Sequence, residues 1–348
     1  MRIYTSNMKA MVRGLAAISV ITLLAGCASA SPSPKQSQEE KQYETAPLTG
    51  VQYELGTNPN LALPSVACKI DNLDVARPQV NLNQTDIVFD EMVEGGLTRF
   101  VAVWHSTHPT EVGPVRSIRP MDPDIISPLG GIVCYSGGQL KFVNLMRATD
   151  VFNASETVEQ NNGTFSRAAD REAPHNVIVD TAKLAANHTD LAAPGAMFAF
   201  GEKGSAEISG VGVTSFKVYF PSALAEWTWS GTQWLRTQDG IKHTDAVTGE
   251  QLHATNVVVM EVEIDRQYGY VPKTVMLGFG KVKIFSGGRM IEGEWSKPTS
   301  TSPIEFRDSR NNILQLAPGN TWVELQPKAP EGKIKVVLAP APSATPTN

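Results

Sequence analysis

Cysteine is scarce in this chain, with Cys27, Cys68 and Cys134 the only three among 348 residues. Neither Cys68 nor Cys134 has a histidine or second cysteine at ligand spacing, so no metal site is expected. Positive charge is also short, at 30 Lys and Arg against 35 Asp and Glu. That balance argues against a nucleic-acid binder, which carries a basic face. The apolar run Gly14–Leu24 falls short of the about 20 residues a bilayer-spanning helix needs. No His-Glu-x-x-His zinc motif, calcium loop or Gly-x-Ser-x-Gly elbow is present. Gly278-Phe279-Gly280-Lys281 lacks the third glycine of a dinucleotide fingerprint and the spacing of a P-loop, and no cofactor is expected.

What the chain does have begins at its amino terminus. Arg2, Lys9 and Arg13 lead into the apolar run, which ends in Leu24-Ala25-Gly26-Cys27. This is the pattern of a lipoprotein signal peptide over 1–26, with Cys27 as the acylated, palmitate-bearing residue of a membrane anchor. Cleavage there removes three positive charges and no negative one, taking the formal charge from −5 to −8. The expected location is the extracytoplasmic face of the cell membrane, held by lipid rather than by charge. Outside the cytoplasm Cys68 and Cys134 are free to pair; two buried thiols that never meet are the alternative.

Residues 27–46 are polar and read as a disordered tether. An N-terminal α+β (or α/β) domain is expected over 47–195, with strand-like runs at Ser65–Asp71, Ile87–Val93, Leu97–Trp104 and Gly131–Tyr135. Leu140–Arg147 has helical apolar spacing, and Thr181–Asn187 reads as a helix capped by Asp180 or Thr181. A loose linker is expected near 190–204. Five of the six tryptophans then fall beyond position 220, among repeated short strands. This predicts a mostly antiparallel β domain over 205–338, with the tryptophans as sheet core or as a sugar platform. The Pro- and Ala-rich tail, 339–348, reads as unstructured.

Arginine dominates the basic residues of the first domain, and arginine is the side chain suited to fixed bidentate contacts with carboxylates or phosphates. Asp71, Asn72, Arg77, Arg99, Arg116, Arg119 and Arg171 are the candidate ligand-binding residues. Glu94, Asp170 and His175 are the candidate acid or base groups, set in Gly- and Pro-rich loops that let backbone approach a ligand. Internal arginine–carboxylate pairing is the competing reading. Ser117 or Ser136 would be the nucleophile of a Ser–His–acid arrangement, and the pattern sets no reaction.

Six segments carry a resemblance: Pro47–Gly50, Ile70–Asn72, Ala76–Gln79, Val93–Phe100, Gly113–Pro120 and Asp170–Asn176. With Asn256–Val259 and Pro318–Trp322 they make the chain similar to the YerB-like lipoproteins, a bacterial family whose defining domain has no assigned function. The resemblance implies a two-domain surface lipoprotein and supplies no catalytic residue. The expected function is binding of an anionic envelope component, a glycan or peptidoglycan fragment, with action on it left open. The alternative is a noncatalytic scaffold that docks a protein partner.

Overall fold

The computed structural model describes residues 41–340. The signal peptide, Cys27, the tether up to 40 and the tail from 341 lie outside the described residues. Folded chain begins earlier than expected: β1 (Tyr43–Thr45) pairs with β2 (Gln52–Glu54), and Ala46 and Leu48 are buried.

In the first half come β3 (Val66–Asp71), β4 (Ile87–Met92), β5 (Thr98–Trp104), α1 (Asp122–Ile126), β6 (Ile132–Tyr135), α2 (Leu140–Arg147), β7 (Phe152–Ser155), β8 (Phe165–Arg167), β9 (Val177–Val179) and α3 (Thr181–Asn187). The Asp180 carboxylate accepts a hydrogen bond from the Lys183 N–H, capping α3 as its sequence requires. The second half carries β10 (Val211–Tyr219), β11 (Leu224–Trp229), β12 (Trp234–Gln238), β13 (Asn256–Val262), β14 (Gly278–Ser286), β15 (Arg289–Lys297), β16 (Thr321–Pro327) and β17 (Lys333–Leu338).

All of these strands but β8 and β9, which pair with each other in a sheet of their own, share one sheet, in the order β12-β11-β10-β15-β14-β13-β16-β4-β5-β3-β6-β7, with β17 beside β10 and short strands at its margins. Strand β16 lies parallel to β13 on one side and parallel to β4 on the other. Every residue of β16 is buried, as expected of a strand flanked by parallel partners and covered on both faces. At the other end β10 touches β15 only through Val211 and Gly212, then turns away to pair with β11 and β17. That turn lays β17-β10-β11-β12 as a second layer over the main sheet. Phe216 stacks on Phe285, and Trp227 meets Trp322 edge to face, across the two layers. The tryptophans Trp227, Trp234, Trp295 and Trp322 are core, with Trp229 packed against it.

Strand alternation sorts the core into two faces. Ile87, Phe89, Val101, Val103, Val323 and Leu325 face one cluster with α1 and α2; Val88, Phe100, Ala102 and Trp322 face the other, under the second layer. The expected linker is drawn into the first cluster, where Met197 and Phe198 are buried and Phe198 stacks on Phe306. Cys68 and Cys134 sit opposite each other on parallel β3 and β6, with Cα atoms 4.5 Å apart, and form a disulfide.

The alternation also drives charge inward. On the second-layer face Arg236 of β12 is fully buried, 2.6 Å from Asp90 of β4 and 3.6 Å from Glu324 of β16. Its guanidinium lies over Phe100, Trp227 and Trp322, and Nη1 donates to Gln238. Burial and the neighbouring Glu324 raise the Asp90 carboxyl well above its ordinary value, against the pull of the Arg236 guanidinium. Removing one member of such a buried set leaves the others unpaired, at a cost of about 3–5 kcal/mol, so this contact between the two halves tolerates no loss of a partner.

Candidate functional site

The opposite face of β3, β4 and β5 carries a second charged set, built around the segment 113–119. Gly113, at φ 155°, passes so close to β9 that an added Cβ would lie 2.7 Å from the Val177 carbonyl. The chain then wedges between strands: the Asp71 N–H donates to Pro114 O, the Arg116 N–H to Lys69 O and the Ser136 N–H to Arg116 O. The backbone of Arg116 is thus held by β3 on one side and by the end of β6 on the other. The wedge lies at the carboxyl ends of the parallel strands β3, β6 and β7, the place where open sheets of this kind present ligand-binding loops.

Asp71, at the end of β3, gathers the polar groups. His175 Nδ1 donates to its Oδ2 at 2.6 Å, and Arg116 Nε forms an ion pair with the same oxygen at 3.1 Å. Arg116 Nη1 donates to Pro174 O, fixing the guanidinium against the loop that carries His175. Arg119 Nε donates to Glu94 at 2.9 Å, and Arg99 Nη1 donates to Ser117 O at 3.0 Å. In the strand register Asp71, Arg99 and Glu91 lie side by side across β3, β5 and β4. Burial and the neighbouring Arg119 and Arg116 push the Arg99 guanidinium down to about 10, a sign of crowded positive charge.

Beneath this layer Lys69 bonds both Glu91 and Asp122, all three fully buried. Burial and the Asp122 charge push the Glu91 carboxyl up to about 8, so it holds its proton at neutral pH. Lys69 is then balanced by Asp122. What remains is Arg99, Arg116 and Arg119 against Asp71 and Glu94. The cluster is one positive charge in excess before His175 is considered.

The structure therefore brings together six expected residues: Asp71, Glu94, Arg99, Arg116, Arg119 and His175. Four others it places elsewhere. Arg171 is a strut whose Nη1 and Nη2 donate to Ala76 O and Pro78 O. Arg77 pairs with Asp239 at 3.1 Å. Asn72 is buried between β5 and β12, bonding Thr98 and Gln238. Asp170 is exposed and makes none of these contacts. The partners of Arg171 and Arg77 lie from 93 to 162 residues away in sequence, which residue type alone does not reveal. His105 and His108 are buried, and burial pushes each ring down to about 4, leaving them neutral. Lys69 and Asp122 were not among the expected site residues, nor were Arg236 and Glu324. For Arg236 the one sequence signal is a charge at an inward position of an alternating strand, Trp234-Leu235-Arg236; Lys69 and Glu324 lie on strands buried throughout and Asp122 on α1, where no such alternation marks them. Among the described residues no group of three or more His, Cys, Asp or Glu side chains is arranged to hold a metal ion, and no helix is long and apolar enough to cross a membrane.

Comparison with known proteins places this geometry in a family. Residues 48–193 match the family described as Protein of unknown function (DUF3048) N-terminal domain, and 216–323 match its C-terminal domain. The chain is 28% identical over 327 residues to the Bacillus subtilis (strain 168) protein named "Putative lipoprotein YerB", covering 88% of this chain and 92% of that one. The crystal structure of YerB from Bacillus subtilis superposes with a TM-score of 0.72 at 23% identity, over 84% of this chain and 99% of that one. The site-bearing segments 70–72, 93–100, 113–120 and 170–176 all lie inside the first matched region. The chain belongs to the YerB-like family, with that family's N- and C-terminal domains in order.

Proposed function

We propose that this protein is a lipoprotein anchored through Cys27 at the extracytoplasmic face of the cell membrane, and that its Asp71–Arg116–His175 cluster binds an anionic envelope component, a glycan or peptidoglycan fragment. The observation that carries the reading is the excess positive charge at the carboxyl ends of β3 and β6, where Arg116 and His175 remain about one fifth exposed. Arg116 and Arg119 offer planar donors to a carboxylate or phosphate, and Arg99 reinforces them from below. His175 has Nδ1 committed to Asp71, which orients Nε2 outward to donate to the ligand or to move a proton on it. The family name of the Bacillus relative supports the lipid anchor, and the lipobox supports it independently.

A docking scaffold is the second reading, favoured by the 79% exposed Phe279 and the 74% exposed Tyr270. One experiment separates the two. Titration calorimetry of the full-length chain in detergent with N-acetylmuramyl-L-alanyl-D-isoglutamine, a carboxylate-bearing peptidoglycan fragment, should give saturable binding. Arg116→Ala should weaken it at least about tenfold with little change in melting temperature. Equal affinity in the variant, or no binding together with a melting loss of several degrees, would make the arginines internal struts.

A further inference from the structure

The three arginines of the Asp71 cluster spend their donors unevenly. Arg99 gives Nη1 to Ser117 O, and Arg116 gives Nη1 to Pro174 O and faces Asp71 with Nε. Arg119 gives Nε to Glu94 and Nη1 to the Ser117 and Ile118 carbonyls. In all three the Nη2 group has no partner among the described residues, and none of the three Nη2 atoms is sealed from solvent. Arg99 is only 6% exposed, so packing holds its open nitrogen in place. Burial and the crowding of Arg119 and Arg116 lower its guanidinium to about 10, a cost that an anion bound among the three relieves. Three guanidinium nitrogens exceed the two oxygens of a carboxylate. A phosphomonoester matches them, with three terminal oxygens and a larger charge.

The other half of the chain borders this group. A hairpin over 264–274, with Ile264 paired to Thr274, reaches α2 on one side and the 94–96 turn on the other. Tyr268 meets Phe142 of α2 edge to face, Lys141 Nζ lies 5.1 Å from the Tyr268 ring, and Lys273 pairs with Asp124 of α1 at 3.0 Å. These contacts fix the hairpin. At its tip a Cβ added to Gly95 would lie 3.5 Å from the Tyr270 hydroxyl, one residue along from the Glu94 that holds Arg119. Tyr268 is packed, whereas Tyr270 stands 74% exposed beside the arginines. An aromatic ring left in water next to a charged site, with a polar tip, offers a stacking surface to the apolar face of a sugar.

We propose that the ligand of this site is a sugar phosphomonoester, with its phosphate oxygens on the Nη2 groups of Arg99, Arg116 and Arg119 and its pyranose ring on Tyr270; this rests on the anionic-site reading above and narrows it. Titration calorimetry of the full-length chain in detergent with N-acetylglucosamine 6-phosphate, N-acetylmuramyl-L-alanyl-D-isoglutamine and inorganic phosphate tests it. The sugar phosphate should bind at least about tenfold tighter than either of the others. Tyr270→Ala should weaken the sugar phosphate at least about fivefold and leave inorganic phosphate unchanged, while Tyr270→Phe keeps full affinity. The side chain is exposed, so the melting temperature should not move in either variant. Muramyl dipeptide binding with no gain for the sugar phosphate, inorganic phosphate binding as tightly as the sugar phosphate, or full affinity in Tyr270→Ala would overturn this narrowing and leave the anionic site standing. Absence of binding by all three compounds would overturn both.

Discussion

Glu91 shows how much one proton matters. In the unfolded chain its carboxyl titrates near 4.5; in the fold it holds its proton to about 8 because burial and Asp122 oppose its charge. Between those values the folded protein binds a proton that the unfolded one has released, so stability falls as pH rises through the window. Asp86 acts in the same direction, moved by burial from 3.8 to about 6. Below about pH 6.5 the buried His105 and His108 oppose this trend, because their rings take up protons only on unfolding. From pH 7 to 8 melting temperatures should therefore decline, and Glu91→Gln should flatten that slope. An unchanged slope in that variant would show that Glu91 ionises with folding intact. Ionisation above pH 8 also cancels the cluster's excess charge, so anion affinity should drop there. The identity of the surface-facing residues was legible: Arg116, Arg119 and His175 stand out because they crowd Gly and Pro loops. The proton on Glu91 was not, because it depends on Lys69 and Asp122, each more than twenty residues away in sequence.

Among the elements, local rules held and distant ones did not show. Helices Leu140–Arg147 and Thr181–Asn187 follow from apolar spacing and an Asp180 cap, both local signals. The β4–β5 hairpin follows from Gly95 and Gly96, each at φ 73°, the left-handed conformation that glycine tolerates best. Nothing local says that 113–119 wedges between β3 and β6, or that Cys68 lands opposite Cys134. The disulfide ties β3 to β6 directly behind Arg116 and closes a 66-residue loop. On chain-entropy grounds that is worth about 4 kcal/mol. Denaturant midpoints measured oxidised, reduced, and in a Cys68→Ala, Cys134→Ala variant should show the oxidised form more resistant by about that amount, with the other two alike. Identical midpoints in all three would mean that the unfolded state gains nothing from opening the loop.

At the scale of the molecule, the two family regions are sequence domains joined by a common sheet. The N-terminal strands β4, β5 and β3 depend on β16, a strand from the far end of the chain, for their inner neighbour. Arg236 adds a second dependence, since Asp90 has its cation only when β12 is present. A fragment of residues 48–193 should therefore fail to reach a cooperative fold, giving poor amide dispersion and a broad melt, while the full chain melts in one transition. A well-dispersed spectrum from the fragment would show that its core suffices without β16. A single sequence carries no register between residue 90 and residue 324, so the change of composition near 200 reads as a boundary although hydrogen bonds cross it.

The position of β16 also sets an order of events. A ribosome delivers this protein amino end first, yet the rung at the middle of its ladder follows all the other strands of the main sheet. Until residue 327 is free, β4 and β13 have no common neighbour, and the acids and arginines on either side of it stay unassembled. A chain that begins to fold as it emerges would thus hold an incomplete sheet until β16 has followed.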